Sequence, residues 1–123
     1  MRDPDPDCLF CRIVAGDIPS DRVYEDDEVI CFRDINPQAP THVLAIPRRH
    51  IADARALGNG DGPLLERLFG VLRDIAEAGG LDGGYRIVTN VGPDAGQTVF
   101  HLHFHLLGGR SMRWPPEIGR AHV

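Results

Sequence analysis

The sequence contains no lysine, and its thirteen basic residues are all arginine. A Schiff-base lysine and the lysine of a Walker-type phosphate loop are therefore both excluded. No apolar run approaches the roughly 20 residues of a membrane span. Met1 to Asp7 alternates Asp and Pro and has neither the basic region nor the apolar region of a secretory leader. A cytoplasmic protein with no membrane partner is the expectation. Cysteine is scarce: Cys8, Cys11 and Cys31 are an odd number, which makes a disulfide framework a poor reading. Positive charge is also in deficit, thirteen basic residues against eighteen acidic ones for a net charge of -5. That balance argues against a nucleic-acid partner and leaves room for a local phosphate site.

What is present suffices for one domain. The 123 residues, 42% of them hydrophobic, can bury roughly two thirds of the surface they expose when unfolded. The Asp/Pro tip, residues 1–7, is expected to be mobile, residues 8–116 to form the single domain, and residues 117–123 to be a C-terminal tail. Leu9 to Ala15 reads as a short helix closed by Gly16. Val29 to Phe32 and His42 to Ile46 read as a hairpin-like pair of strands around the Asn36, Pro37, Pro40 loop. Leu64, Leu65, Leu68, Phe69, Leu72, Ile75 and Ala76 repeat at helical spacing between Pro63 and Gly79-Gly80, which predicts the main helix. Tyr85 to Thr89 and His101 to Leu107 read as two more strands, joined by the turn-rich stretch Asn90 to Gln97. The class is α+β with an antiparallel sheet. The acidic stretch Asp21 to Glu28 reads as a solvated hairpin turn.

The segment His101-Leu-His-Phe-His-Leu-Leu107 carries the chemistry. Side chains alternate faces along a strand, so His101, His103 and His105 share one face while Leu102, Phe104 and Leu106 go to the core. Their spacing of about 6 to 7 Å lets adjacent rings meet one bound group. A solvated histidine face is the plain alternative, and a His-x-His pair holding a catalytic zinc is the sharper one. The loop before the strand, Gly92 to Gln97 followed by Thr98, supplies backbone amides that could cradle a phosphoryl group.

The motif His-φ-His-φ-His-φ-φ (φ, an apolar residue), preceded by Gly-Gln-Thr-Val and followed by Gly-Gly-Arg-Ser-Met-Arg-Trp-Pro-Pro, resembles the histidine-triad (HIT) family, in particular its Hint branch of nucleoside phosphoramidases. Asp34-Ile-Asn-Pro-Gln-Ala-Pro-Thr-His42, Ile46-Pro-Arg-Arg-His50 and Tyr85-Arg-Ile-Val-Thr-Asn90 are further matches, so the likeness runs from about Leu9 to Pro116. The resemblance implies a five-stranded antiparallel sheet with one long and one short helix, and a homodimer whose two sheets join into one of ten strands. It implies hydrolysis of the bond between a purine nucleoside 5'-phosphate, an AMP or GMP derivative, and an amine or similar leaving group. By that likeness His103 is the nucleophile, His105 contacts the phosphate and His42 orients the nucleophile from behind. Asp34 contacts the ribose, and Phe10, Ile13, Ile18 and Phe32 receive the base. Asn90, Gly96, Gln97 and Thr98 approach the phosphate or leaving group, with Thr98 where Ser is more usual. Trp114 reaches the partner subunit's site. The tail from Glu117 onward departs from the pattern.

Imidazole is a competent nucleophile at neutral pH, and a phosphoryl-imidazole intermediate divides one displacement into two. No metal is needed for that route. Cys8-x-x-Cys11 nevertheless suits two thiolates on one metal, and the resemblance adds His50 and His101 as the other two ligands of a structural zinc. Reduced surface thiols are the alternative for the pair. Cys31 reads as a small core residue and His122 as solvated. Arg48 and Arg49 read as exposed turn arginines, with steering of an anionic substrate the other reading. Two functional alternatives stand beside the histidine nucleophile: a zinc hydrolase that uses the triad as ligands, and a nucleotide-binding regulatory dimer without turnover.

Overall fold

The computed structural model describes residues 4–116, and the tail from residue 117 lies outside them. The described chain runs α1 (Leu9–Val14), β1 (Arg22–Glu25), β2 (Val29–Arg33), β3 (Thr41–Pro47), α2 (Gly62–Ala78), β4 (Tyr85–Val88) and β5 (Phe104–Gly108). Single 3₁₀ turns occur at Ala54–Ala56, Asn59–Asp61 and Pro93–Ala95. The five strands form one antiparallel sheet in the order β1-β2-β3-β5-β4. No helix of the described residues is long and apolar enough to cross a membrane.

Period-two patterning puts a separate apolar cluster on each face of this sheet. On one face Val29, Cys31, Val43, Ala45, Phe104 and Leu106 meet Leu64, Leu68, Val71, Leu72 and Ala76 of α2. Those α2 residues recur every three or four positions, the apolar stripe of an amphipathic helix. Pro63 lies in its first turn, and after Ala78 the Gly79 amide bonds the Ile75 carbonyl. On the other face Ile30, Phe32, Leu44 and Ile46 meet Cys8, Phe10, Cys11 and Ile13 from α1 and its cap. Cys8 caps α1 with its thiol, which accepts from the Cys11 amide at 3.4 Å. The edge of β1 is tied to α1 by Arg22, whose guanidinium donates to the Ile13 carbonyl at 2.7 Å.

Two sequence expectations change. The Asp21 to Glu28 stretch is not a solvated turn throughout: it contains β1, and the turn proper is built by Asp26, whose Oδ1 accepts from the amides of Glu28 and Val29. Arg22, Val23, Tyr24 and Glu25 form a half-buried edge strand with a register shift, and such a strand leaves only a weak alternating pattern. The histidine strand also begins later than its sequence suggests. Pairing with β3 starts at Ala45 opposite Phe104, and the Leu102 amide turns instead to the Ile51 carbonyl. His101 to His103 still alternate, because Leu102 joins the α2-side cluster while both histidines stay on the α1 side.

Leu68 is fully buried between α2 and the sheet, so Leu68→Ala is expected to cost about 2–5 kcal/mol through lost burial and a residual cavity. Urea unfolding midpoints of the two proteins measure this, and an unchanged midpoint would contradict the packing described.

Candidate active site and metal centre

The histidine face is not solvated. His42 is 5% exposed, His101 0%, His103 1% and His105 1%, and Phe10 of α1 packs over His101 and His103. The Phe10 ring stands edge-on to His103 at 5.1 Å, to His101 at 6.0 Å and to Phe32 at 5.6 Å. Ile13 and Phe32 are buried in the same cluster and Ile18 is half-buried against it, so the structure gathers all four apolar candidates into one cluster that meets the histidines through Phe10.

Buried imidazoles take the tautomer that their partners demand. The Gln38 amide donates to His42 Nδ1 at 3.0 Å. His42 therefore carries its proton on Nε2, which faces His105 Nδ1 at 2.8 Å and Asp34 Oδ2 at 3.5 Å. His105 accepts at Nδ1 and must carry its own proton on Nε2, a buried atom with no hydrogen-bond partner among the described residues. His103 Nδ1 is 2.7 Å from the His101 carbonyl. A carbonyl only accepts, so Nδ1 bears the proton and the lone pair of His103 is on Nε2. The Thr89 hydroxyl donates to the His103 carbonyl at 2.7 Å and holds this backbone in place. Burial, then the neighbouring His103 and His42, push His105 down to about 3. Burial also lowers His42, against the pull of the Asp34 carboxylate. Both rings are neutral at pH 7.

The other candidates fall as follows. Asp34 is turned inward, its Oδ1 accepting from the Asn36 amide at 2.8 Å and its Oδ2 facing His42. Asn90 Nδ2 is a second buried donor with no partner among the described residues. Thr98 lines a cleft of about 290 Å³ with Asp5, Asp7, Cys8, Leu9, His50, Val99 and Phe100. The loop amides differ from expectation. Those of Ala95 and Gln97 bond the Gly92 carbonyl, that of Gly96 bonds Pro93, and that of Gly92 bonds the Gln97 side chain. The Gln97 amide group also donates to the carbonyls of Ala52 and Val99. Gln97 thus shapes the loop from inside, because a 3₁₀ turn at Pro93–Ala95 consumes the donors that an open anion cradle would need. Trp114 is 83% exposed on the single chain. Arg48 bonds the Asp26 carbonyl and Glu25, and Arg49 bonds Asp61, which accounts for both arginines within the fold. Thr89 and the Gln38 amide were not singled out by the sequence. The hydroxyl sits in an ordinary strand pattern, and an amide leaves no mark in side-chain identity.

The two cysteines and the other two histidines converge on one point. Cys11 Sγ is 3.2 Å from His50 Nδ1, while His101 Nδ1 is 3.4 Å from Cys8 Sγ and 3.5 Å from Cys11 Sγ. All four donor atoms lie within 4.8 Å of one another. A tetrahedral zinc with S and N ligands has S···N edges of about 3.6 Å, so these three S···N distances are within a few tenths of an ångström of that geometry. His101 Nε2 donates to the Pro47 carbonyl at 2.8 Å, which leaves the Nδ1 lone pair aimed at the thiols, and such a second hydrogen bond is the usual companion of a ligating histidine. Burial pushes the Cys8 thiol up to about 11, a place where a thiolate forms once a cation sits beside it. The triad is not a joint ligand set: His101 faces the cysteines, and the second candidate cluster is Asp34, His42 and His105.

Residues 7–114 match the sequence profile of the family described as "Scavenger mRNA decapping enzyme C-term binding". An uncharacterised HIT-like protein of Synechococcus elongatus is 50% identical over 110 residues, 89% of this chain and 96% of that one. A 14 kDa zinc-binding protein of Zea mays is 47% identical, covering 91% of this chain and 89% of that one. Among solved structures, a HIT family hydrolase from Legionella pneumophila superposes with a TM-score of 0.88 at 49% identity, covering 90% of this chain and all of that one. One from Clostridium thermocellum superposes with a TM-score of 0.87 at 45% identity, covering 94% and 99%.

The neutral histidines set a pH dependence. His105 and His42 have folded values below the ordinary value of about 6.5. Below that pH the unfolded chain binds protons that the folded chain refuses, so stability falls as pH drops from about 6.5 toward 3 and is level above about 7. Urea midpoints from pH 4 to 8 are expected to follow this course, with a shallower acid slope in His105→Asn; equal slopes in the two proteins would remove His105 as a cause.

Proposed function

Because the chain belongs to the histidine-triad (HIT) family, we propose that it is a hydrolase of nucleoside 5'-phosphoramidates and related nucleotidyl compounds, acting through His103. One observation carries this reading. Beside His103, whose tautomer puts a lone pair on Nε2, lies a buried N–H of His105 with no hydrogen-bond partner among the described residues. A buried donor left unsatisfied is costly, and an anionic oxygen beside it would satisfy it.

In the proposed reaction His103 Nε2 attacks phosphorus as the bond to the leaving nitrogen breaks, and that nitrogen takes a proton from solvent and departs as the neutral amine. Water then attacks phosphorus and breaks the phosphorus–Nε2 bond, its hydroxyl joining the nucleoside monophosphate and its other proton returning to solvent, which restores the neutral ring. His105 Nε2–H stabilises charge on the phosphoryl oxygens in both steps, the role of a preorganised donor, and Asn90 Nδ2 is a second such donor. Thr98, Gly96 and Gln97 border the phosphate in this reading. Asp34 serves the ribose hydroxyls, and the base rests on the Phe10, Ile13, Ile18 and Phe32 cluster. The Hint-branch reading further assigns a purine base, and a homodimer whose two sheets join into one of ten strands, with Trp114 of one copy reaching the site of the other. The three free cysteines accord with a cytoplasmic, reducing setting.

Cys8, Cys11, His50 and His101 hold a structural zinc in this reading. Bound there, the metal supplies a cross-link between α1 and the segment leading into β5. Four protein ligands leave it no open position for chemistry.

AMP release from adenosine 5'-phosphoramidate tests the reaction. Wild type is expected to turn over with or without a chelator, and His103→Ala to lose about 10³-fold or more. Loss on chelation from still-folded protein would favour zinc chemistry instead, and no release at all would leave a nucleotide-binding protein without turnover. For the metal, elemental analysis is expected to find one zinc per chain in wild type and His103→Ala and none in Cys11→Ala, with Tm lower by about 5 °C or more in the last. Zinc retained by Cys11→Ala would refute the assignment.

A further inference from the structure

The direction of the hydrogen bonds through His42 and His105 is set by one backbone amide, that of Gln38, in the loop between β2 and β3. What holds that amide in place lies beyond the site. Immediately after β5 the chain runs Gly108-Gly109-Arg110. Gly109 has φ +90°, and a Cβ built there would stand 2.9 Å from Pro40 Cβ, so the chain presses against the loop where only glycine fits. The exposed Arg110 then reaches across, its Nε donating to the Gln38 carbonyl at 3.0 Å while its Nη1 donates to Ser111 O at 3.0 Å. Within the loop the Gln38 side chain also bonds the Asn36 carbonyl at 3.0 Å.

We propose that Arg110, a surface residue outside the site, is a positioning residue for the reaction. By clamping the Gln38 carbonyl it keeps the Gln38 amide on His42 Nδ1, and so keeps the His105 Nε2 proton pointing at the phosphoryl group. The argument rests on the functional reading above for the identity of that group. If the amide leaves, His42 Nδ1 is open to a proton, and the His42–His105 bond can run the other way. His105 then donates from Nδ1 and presents a lone pair at Nε2, which repels a phosphoryl oxygen instead of binding it. Asp34 Oδ2, 3.5 Å from His42 Nε2, favours the productive direction and makes the reversal partial.

Arg110→Ala and Arg110→Gln separate the outcomes, since Gln keeps an N–H donor at the same distance along the side chain as Arg Nε and removes the charge. In Arg110→Ala, kcat for AMP release is expected to fall about 10- to 100-fold, the scale of a misplaced proton donor, with a smaller change in KM. Imidazole ¹⁵N spectra of the substrate-free protein are expected to show His42 and His105 drifting toward the reversed tautomers. Arg110→Gln is expected to restore both. Unchanged ¹⁵N spectra in Arg110→Ala overturn the proposal whatever the turnover, and so does a Gln variant as impaired as the Ala variant. A wild-type protein inactive on the phosphoramidate would overturn the functional reading alone, and the spectra would still decide this one.

Discussion

Four imidazoles are buried on one face of a five-stranded sheet, and the rest of the site depends on each of them being bonded in one direction. Water cannot repair a wrong tautomer there. Each ring therefore needs a partner that accepts only or donates only, and the fold provides one in every case. The Gln38 amide fixes His42, His42 fixes His105, the His101 carbonyl fixes His103, and the Pro47 carbonyl fixes His101. All the terminal partners are backbone groups, whose donor or acceptor character no titration changes.

This explains why residue 101 ties two functions together. Its ring turns to the cysteines and its carbonyl takes the proton of His103. The peptide that carries one member of the cysteine–histidine cluster is thus the one that leaves the His103 lone pair on Nε2. The departure of His101 to His103 from the β5 ladder follows from the same geometry: a ladder bond at the His101 carbonyl would compete with His103 Nδ1. The ladder with β3 accordingly reaches only to Phe104.

Much of this was legible in the sequence because it lies in side-chain identity. Alternation of His with Leu and Phe sorted the two faces correctly, and the Leu64 to Ala76 periodicity located α2. The spacing of Cys8 and Cys11 at a helix start put both thiols on one side, one turn apart. The family motifs brought His50 and His101 to them. The illegible parts lie in the backbone and in weak patterns. β1 was hidden because Arg22 and Glu25 give an edge strand the composition of a loop. The Gly92 to Gln97 loop contained the glycines and amides of an anion cradle, yet only the structure shows that the Gln97 side chain and a 3₁₀ turn consume them. The Gln38 amide, which directs the protons of His42 and His105, belongs to a residue whose side chain merely bonds Asn36.

Where the donors are spent also decides how charge is handled at the site. With the amides of Gly92, Ala95, Gly96 and Gln97 closed on themselves, stabilisation of an incoming anion falls to side chains, chiefly the neutral N–H of His105 and the amide of Asn90. Neutral donors suit a two-step displacement. In the proposed reaction they would stabilise phosphoryl oxygens in the transition state without holding the product monophosphate as tightly as a cation would. Lysine is missing from the chain, and Arg48 and Arg49 are engaged with Glu25, Asp26 and Asp61. The site therefore works through dipoles held in fixed directions, and what holds them is the tautomer chain that ends at backbone groups.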